Sequence, residues 1–164
     1  AIRAFAKICG RNSGMEFHIV GGGDGMDECT ELAYCLDLER NVRFTKDMIP
    51  LESLLGVLED MDVGVIANRA NIATELMLPV KLLEYIALDI PVVAPRLKTI
   101  EYYFSDEMVS YYETENVDSL ADAMMSLLHD EERKKAQAAK AKAFLDRYGW
   151  ETHRMDLINL YREI

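Results

Sequence analysis

Two groups of residues have the types and spacing to hold a charged ligand. In LPVKLLEYIAL (78–88), reading a helix from Pro79 makes positions 80, 82, 83 and 85–88 apolar or aromatic and leaves Lys81 and Glu84 as the only charges. At about 100° per residue, two positions three apart stand about 60° from each other and share one stripe. The spacing therefore predicts a helix buried over nearly its whole circumference. Two charges on such a helix must be paired, bound to a ligand or turned into a cleft, because desolvating them alone costs several kcal/mol. Lys81 falls in the first turn, where the helix dipole disfavours a cation by about 0.3–1 kcal/mol unless an anion lies near. A phosphate would accept from both the open backbone N–H groups and the ammonium, and a carboxylate one turn on would accept from ribose hydroxyls. A cation followed by an anion in that order suits a nucleotide diphosphate. The plain alternative is a Lys81–Glu84 ion pair with no ligand.

The second group follows the β-rich run EFHIV (16–20). Gly21-Gly22-Gly23-Asp24-Gly25 puts four glycines in five residues, which permits positive φ and close approach of backbone N–H groups to an anion. It is not a dinucleotide fingerprint. Gly21 and Gly23 fit its first two positions, but the third is Met26, and Val42–Thr45 offers no acidic residue for a ribose hydroxyl. A tight turn serving only chain reversal is the alternative.

The rest of the chain supplies the frame for these groups. Apolar Ile2, Phe5, Ala6 and Cys9 recur at helical spacing, so 1–9 is predicted helical, ended by Gly10 and an Asn12-Ser13-Gly14 turn. Strands are predicted at 16–20, 41–45, 62–67, 91–95 and 108–112. Helices are predicted at 27–36, 50–60, 79–88, 117–129, 131–147 and 150–163, with a helical turn near 99–104. Residues 68–78 follow neither period and read as a loop. This alternation predicts an α/β fold: one Rossmann-like domain over 1–164, with a parallel sheet and helices on both its faces. Such a sheet binds ligands outside the C-terminal ends of its strands, which directs attention to 21–26, 45–50 and 68–81.

Composition excludes several classes. Among 164 residues, 18 Lys and Arg face 29 Asp and Glu, a net charge of -11, and no nucleic-acid partner is expected because nothing would neutralise a phosphate array. No apolar run approaches the ~18 positions of a membrane span, as in a soluble globular protein. Cys9, Cys29 and Cys35 form neither a CxxC pair nor an even disulfide set, and with three histidines they argue against a metal centre. A reducing, cytoplasmic compartment fits best. His18 reads as a structural strand residue, His129 and His153 as solvated helix residues, and Met77, Met124, Met125 and Met155 as packing. The chain opens on Ala1 already inside a helix and reads as part of something longer.

From Glu16 onward the chain resembles the C-terminal domain of retaining glycosyltransferases of the GT-B fold, the large family called group 1 or family four. The resemblance rests on FHIVGGGDG (17–25), VRFTKDMIPLESLLGVLEDMDVGVIAN (42–68) and above all LPVKLLEYIALDIPVVAP (78–95), whose P-x-K-x-x-E-Y core followed by P-V-V-A is a recurrent variant. It implies a nucleotide-sugar donor on this domain, a sugar, lipid-linked or polysaccharide acceptor held mainly by a second domain, and transfer in the cleft between. It further implies that Glu84 holds the donor ribose and that Leu76, Met77, Leu78, Pro79 and Val80 cradle the pyrophosphate, with Lys81 beside them. Phe44, Thr45 and Lys46 would border the base, and Gly22 and Gly23 lie on the same edge. No metal or cofactor is expected, since the helix dipole, backbone N–H groups and Lys81 would stabilise the departing diphosphate and the nucleotide sugar is itself a substrate.

The departures from the family pattern carry consequences. In the common motif two glutamates are separated by seven residues, which puts the first at Leu76, with Glu75 one residue out of register. Either the loop shifts so that Glu75 serves as a catalytic group beside Lys81, or the sugar is recognised by other groups. Asp89 replaces the usual glycine after the helix and tolerates the left-handed conformation. An Arg and a Lys that the family draws from its first C-terminal strand and turn are absent, so the isolated chain is expected to be inactive. The final helix of the family braces the other domain, so Leu157, Tyr161 and Ile164 are expected to be exposed and to favour self-association; the full enzyme is expected to be cytoplasmic, with peripheral contact to a membrane. Two other functions compete. A nucleotide-sugar epimerase of the same architecture would carry a histidine and paired carboxylates near the cleft, which are not seen, and a bare interaction domain would bind no nucleotide.

Overall fold

A computed structural model describes residues 1–10, 14–45 and 49–162, so Asn12, Ser13, Lys46 and Ile164 of the expectations above lie outside the described residues. The elements begin α1 (Ile2–Cys9), β1 (Phe17–Val20), α2 (Met26–Cys35), β2 (Val42–Thr45), α3 (Leu51–Leu58), β3 (Gly64–Val65) and α4 (Ile72–Leu76). They continue α5 (Val80–Ala87), β4 (Val92–Pro95), α6 (Lys98–Tyr103), β5 (Ser110–Tyr112), α7 (Val117–Leu128), α8 (Glu131–Tyr148) and α9 (Trp150–Arg162). Every strand pairing is parallel, and helices flank the strands, as the alternation predicts.

The strands divide where one continuous sheet was expected. Among the described residues β1 pairs with β2, and β3, β4 and β5 form a second sheet in that order. β3 is correspondingly short. Its hydrogen bonds run along one edge, with Gly64 N–H donating to Pro91 C=O and Ile66 N–H to Val93 C=O, both at 2.9 Å. The apolar run at 62–67 predicts six strand residues because periodicity registers burial, whereas a strand extends only as far as its ladder does.

Two clusters form the core. One joins α1 and α7 to both sheets through residues such as Phe5, Ile8, Val42, Val93, Met124 and Leu127. The other packs α5, α6 and α8 against β4 through Leu82, Ile86, Val92, Ile100, Phe104 and Phe144. Burying side chains of this size contributes about 1.5–3 kcal/mol each. The second cluster holds α5 in place, aided by a close approach at β3: a Cβ on Gly64 would stand 2.4 Å from Tyr85 Cδ2.

Two local expectations are corrected. The stretch read as a loop contains α4, whose Asn71 side chain accepts from Thr74 N–H (3.0 Å) while Thr74 Oγ1 accepts from Asn71 N–H (2.9 Å). α4 escapes detection by period because it has no buried residue. α5 is not buried all round. Leu82 and Ile86 are buried and Leu83, Glu84 and Tyr85 half-buried, but Val80, Lys81 and Ala87 are exposed. The helix rests on the core along the face of Leu82 and Ile86, with Val80, Lys81 and Ala87 on the outer face. α9 presents Trp150, Leu160 and Tyr161, all more than half exposed, together with Met155, Leu157 and Ile158.

Candidate functional site

The end of β1 and the end of β2 lie side by side, with Val20 opposite Thr45. Gly21 continues the ladder by donating to Thr45 C=O at 3.1 Å and then turns at φ 129°, and Gly23 follows at φ 145°. A side chain at either position would strain the backbone, so the glycines are required by the turn itself. Gly22 and Gly23 are exposed, and Phe44 and Thr45 are half-buried. The loop leads directly into α2, whose first turn bears Asp27 and Glu28.

The second group stands beyond β3. Leu76 and Met77 are exposed, Leu78 half-buried and Pro79 buried. Pro79 is the N-cap of α5 at φ -65°, with no side-chain cap and no acidic residue in the following turn. The N–H of Leu82 bonds back to Pro79 C=O at 3.0 Å, and those of Val80 and Lys81 precede the helical ladder. Lys81 is exposed, and among the described residues its ammonium has neither an ion pair nor a hydrogen bond. The Lys81–Glu84 ion pair, the plain alternative, is not formed. Arg96, the cation that follows β4, is in the opposite condition, with Glu101 at 2.9 Å, Asp106 at 2.8 Å and Glu113 at 3.4 Å. Glu84 lies one turn further along α5, half-buried, and burial followed by the Glu84 charge raises the neighbouring Tyr85 hydroxyl above its ordinary range.

Glu75 faces a different neighbour. Lys98 N–H donates to its Oε2 at 3.0 Å, and Thr99 Oγ1 donates to its backbone C=O at 2.8 Å. Lys98 and Thr99 were not singled out in the sequence, and a partner more than twenty residues away leaves no local signal. Asn71-x-x-Thr74 did leave one, since an N-cap residue followed three positions later by a polar partner marks a helix start. Cavities of about 520 and 450 Å³ open elsewhere, by α7 and by the Tyr103–Tyr148 cluster. Neither cavity is lined by Gly22, Gly23, Phe44, Thr45, Lys81 or Glu84. His18 bonds to Glu16 at 3.1 Å, His129 to Met125 C=O and His153 to Asp156, roles that are local and structural.

β5 is tied to the residue that follows β3 by Tyr112, whose hydroxyl donates to Ile66 C=O at 3.0 Å. Burial pushes this hydroxyl up to about 12 from 10.0. A group whose folded pKa is raised contributes fully below its unfolded value and loses that contribution as pH climbs through the folded one. Urea unfolding midpoints should therefore fall between pH 10 and 12, and Tyr112→Phe should flatten part of that fall. Tyr85 and Tyr111, also raised by burial, contribute to the same fall.

Known proteins share the fold and the family of this chain. A D-inositol 3-phosphate glycosyltransferase of Corynebacterium urealyticum is 30% identical over 171 residues, spanning 99% of this chain and 39% of that protein. The chain thus covers about two-fifths of the length of that curated relative. The crystal structure of Anabaena Alr3699/HepE with UDP and glucose superposes with a TM-score of 0.78 at 17% identity, over 99% of this chain and 44% of that one. The C-terminal domain of the glycosyl transferase group 1 family protein LpcC from Francisella tularensis superposes at 0.74 with 17% identity, over 89% of this chain and 75% of that one. At such identities the likeness establishes a shared fold, that of GT-B glycosyltransferases. The family described as glycosyl transferases group 1 matches residues 1–130, and the chain belongs to it.

Proposed function

We propose that this chain binds the nucleotide-sugar donor of a retaining, family-four glycosyltransferase and acts with a second domain that presents the acceptor. Lys81 carries the reading: an ammonium without a counter-ion among the described residues, placed where a helix N-terminus disfavours it, at the start of a helix whose first N–H groups are open. A diphosphate supplies the missing anion and takes hydrogen bonds from both. Glu84, one turn on and half-buried, accepts from the ribose hydroxyls and positions the donor without acting as a base. Phe44, Thr45, Gly22 and Gly23 border the nucleoside.

In the transfer, the bond between the anomeric carbon and the diphosphate oxygen breaks, and the diphosphate leaves with the electron pair. An acceptor hydroxyl oxygen forms the new bond on the same face, and its proton passes to the departing diphosphate oxygen. Lys81 and the N–H groups of Val80 and Lys81 meet the charge that grows on the leaving diphosphate. The solved neighbours support this chemistry by their contents: Anabaena Alr3699/HepE holds UDP and glucose. A sugar, lipid-linked or polysaccharide acceptor on the cytoplasmic side completes the proposal, with α9 the face that meets the second domain and that self-associates without it.

Titrating UDP, GDP and ADP while following thermal unfolding tests the reading. A nucleotide at 100 times its dissociation constant should add about 2.7 kcal/mol of stability. If none of the three at millimolar concentration raises the midpoint, the donor site is wrong and the bare interaction domain is the better account.

A further inference from the structure

We infer that Glu75 and Thr99 are positioning residues that clip α4 onto the start of α6 and so fix the 77–80 lead-in to α5. The inference rests on the donor-site reading and assigns Glu75 to act through α6 rather than on the donor sugar. α4 cannot be held by apolar burial, since it has no buried residue and Ile72 and Leu76 are 85% and 76% exposed. Polar contacts must hold it. Inside the segment, Asn71 and Thr74 cap one another, and Thr74 Oγ1 also donates to Arg69 C=O at 2.6 Å. These bonds shape α4 but do not attach it to the rest of the molecule.

Glu75 makes the attachment twice. Its Oε2 accepts from Lys98 N–H at 3.0 Å, and its backbone C=O accepts from Thr99 Oγ1 at 2.8 Å. One bond restrains the side chain and the other the main chain, so the residue cannot pivot about either alone. The anchoring end is firm, because Leu97 and Ile100 on either side of these partners are 1% and 0% exposed. A carboxylate on the first N–H of a helix is also favoured by the helix dipole. From Glu75 to Val80 the chain has little freedom, with Met77 and Pro79 extended and Pro79 buried. Releasing Glu75 therefore loosens the first turn of α5 without opening the core.

The test compares the wild-type chain with Glu75→Ala, Glu75→Gln and Thr99→Val by amide hydrogen exchange and by binding of whichever of UDP, GDP and ADP the wild type binds best. Glu75→Ala should speed exchange at Lys98 and over 72–76 by about tenfold or more while leaving the global unfolding midpoint in place. Nucleotide affinity should fall by about tenfold in Glu75→Ala, the scale of losing one charge-assisted bond, and by about threefold in Thr99→Val, which loses a neutral one. Glu75→Gln, which still offers an oxygen to Lys98, should stay within about twofold of wild type. UDP, GDP and ADP lack the transferred sugar, so a Glu75 that touched only that sugar would leave nucleotide affinity unchanged in Glu75→Ala, and that result would overturn the inference. Unchanged exchange at Lys98 would overturn it as well, and so would Glu75→Gln binding as poorly as Glu75→Ala. A wild-type chain that binds none of the three removes the donor-site reading, while the exchange measurement still decides whether the clip exists.

Discussion

Glu84→Ala should weaken nucleotide binding by about ten- to a hundredfold, the equivalent of ~1.5–3 kcal/mol for hydrogen bonds to a charged group, measured by calorimetry on the folded chain. Lys81→Ala should cost less, about three- to tenfold, and that cost should shrink at high salt. The difference follows from exposure. Glu84 is half-buried on α5 and competes with little water, whereas Lys81 is exposed and its attraction to phosphate is screened within a Debye length of about 8 Å at physiological salt. Equal, salt-insensitive losses at the two positions would mean that they do not meet the ligand as a carboxylate on ribose and an ammonium on diphosphate.

Gly64→Ala should destabilise the chain by about 1–3 kcal/mol, read from urea unfolding, and weaken nucleotide binding at the same time. A Cβ at this position would stand 2.4 Å from Tyr85 Cδ2 and 2.7 Å from its Cγ. The ring cannot yield at its tip alone, because the contact falls near its base; the backbone of α5 must shift, carrying Glu84 with it. Tyr85→Ala removes the obstruction, so the double variant should lose less stability than the sum of the two single changes. Additive losses would show that Tyr85 is not what limits the space at Gly64.

Much of the local structure around the candidate site was legible because its signals are local. The spacing of apolar residues around Lys81 and Glu84 placed both on one stripe of one helix, and α5 runs from Val80 to Ala87 as that spacing requires. The glycine run after β1 marked a turn needing positive φ, which Gly21 and Gly23 adopt. Asp89, in the glycine position after α5, takes φ 58°, as its short polar side chain permits. α4 was missed because a helix with no buried face has no hydrophobic period, and Lys81 proved exposed because periodicity counts apolar positions without knowing how many neighbours reach them.

The amino-acid order by itself determined the parallel α/β frame, the strand-to-loop transitions and the helix on which the candidate charges stand, since these follow from hydrophobic period, turn chemistry and helix termini acting over a few residues. Tertiary structure alone decided the division of the strands into two sheets, the placing of Glu75 against Lys98, the closeness of Gly64 to Tyr85 and the lack of a counter-ion at Lys81 among the described residues. Each of these depends on which distant segments meet. A hydrogen bond or a steric contact acts over a few ångströms of space, whatever the separation along the chain.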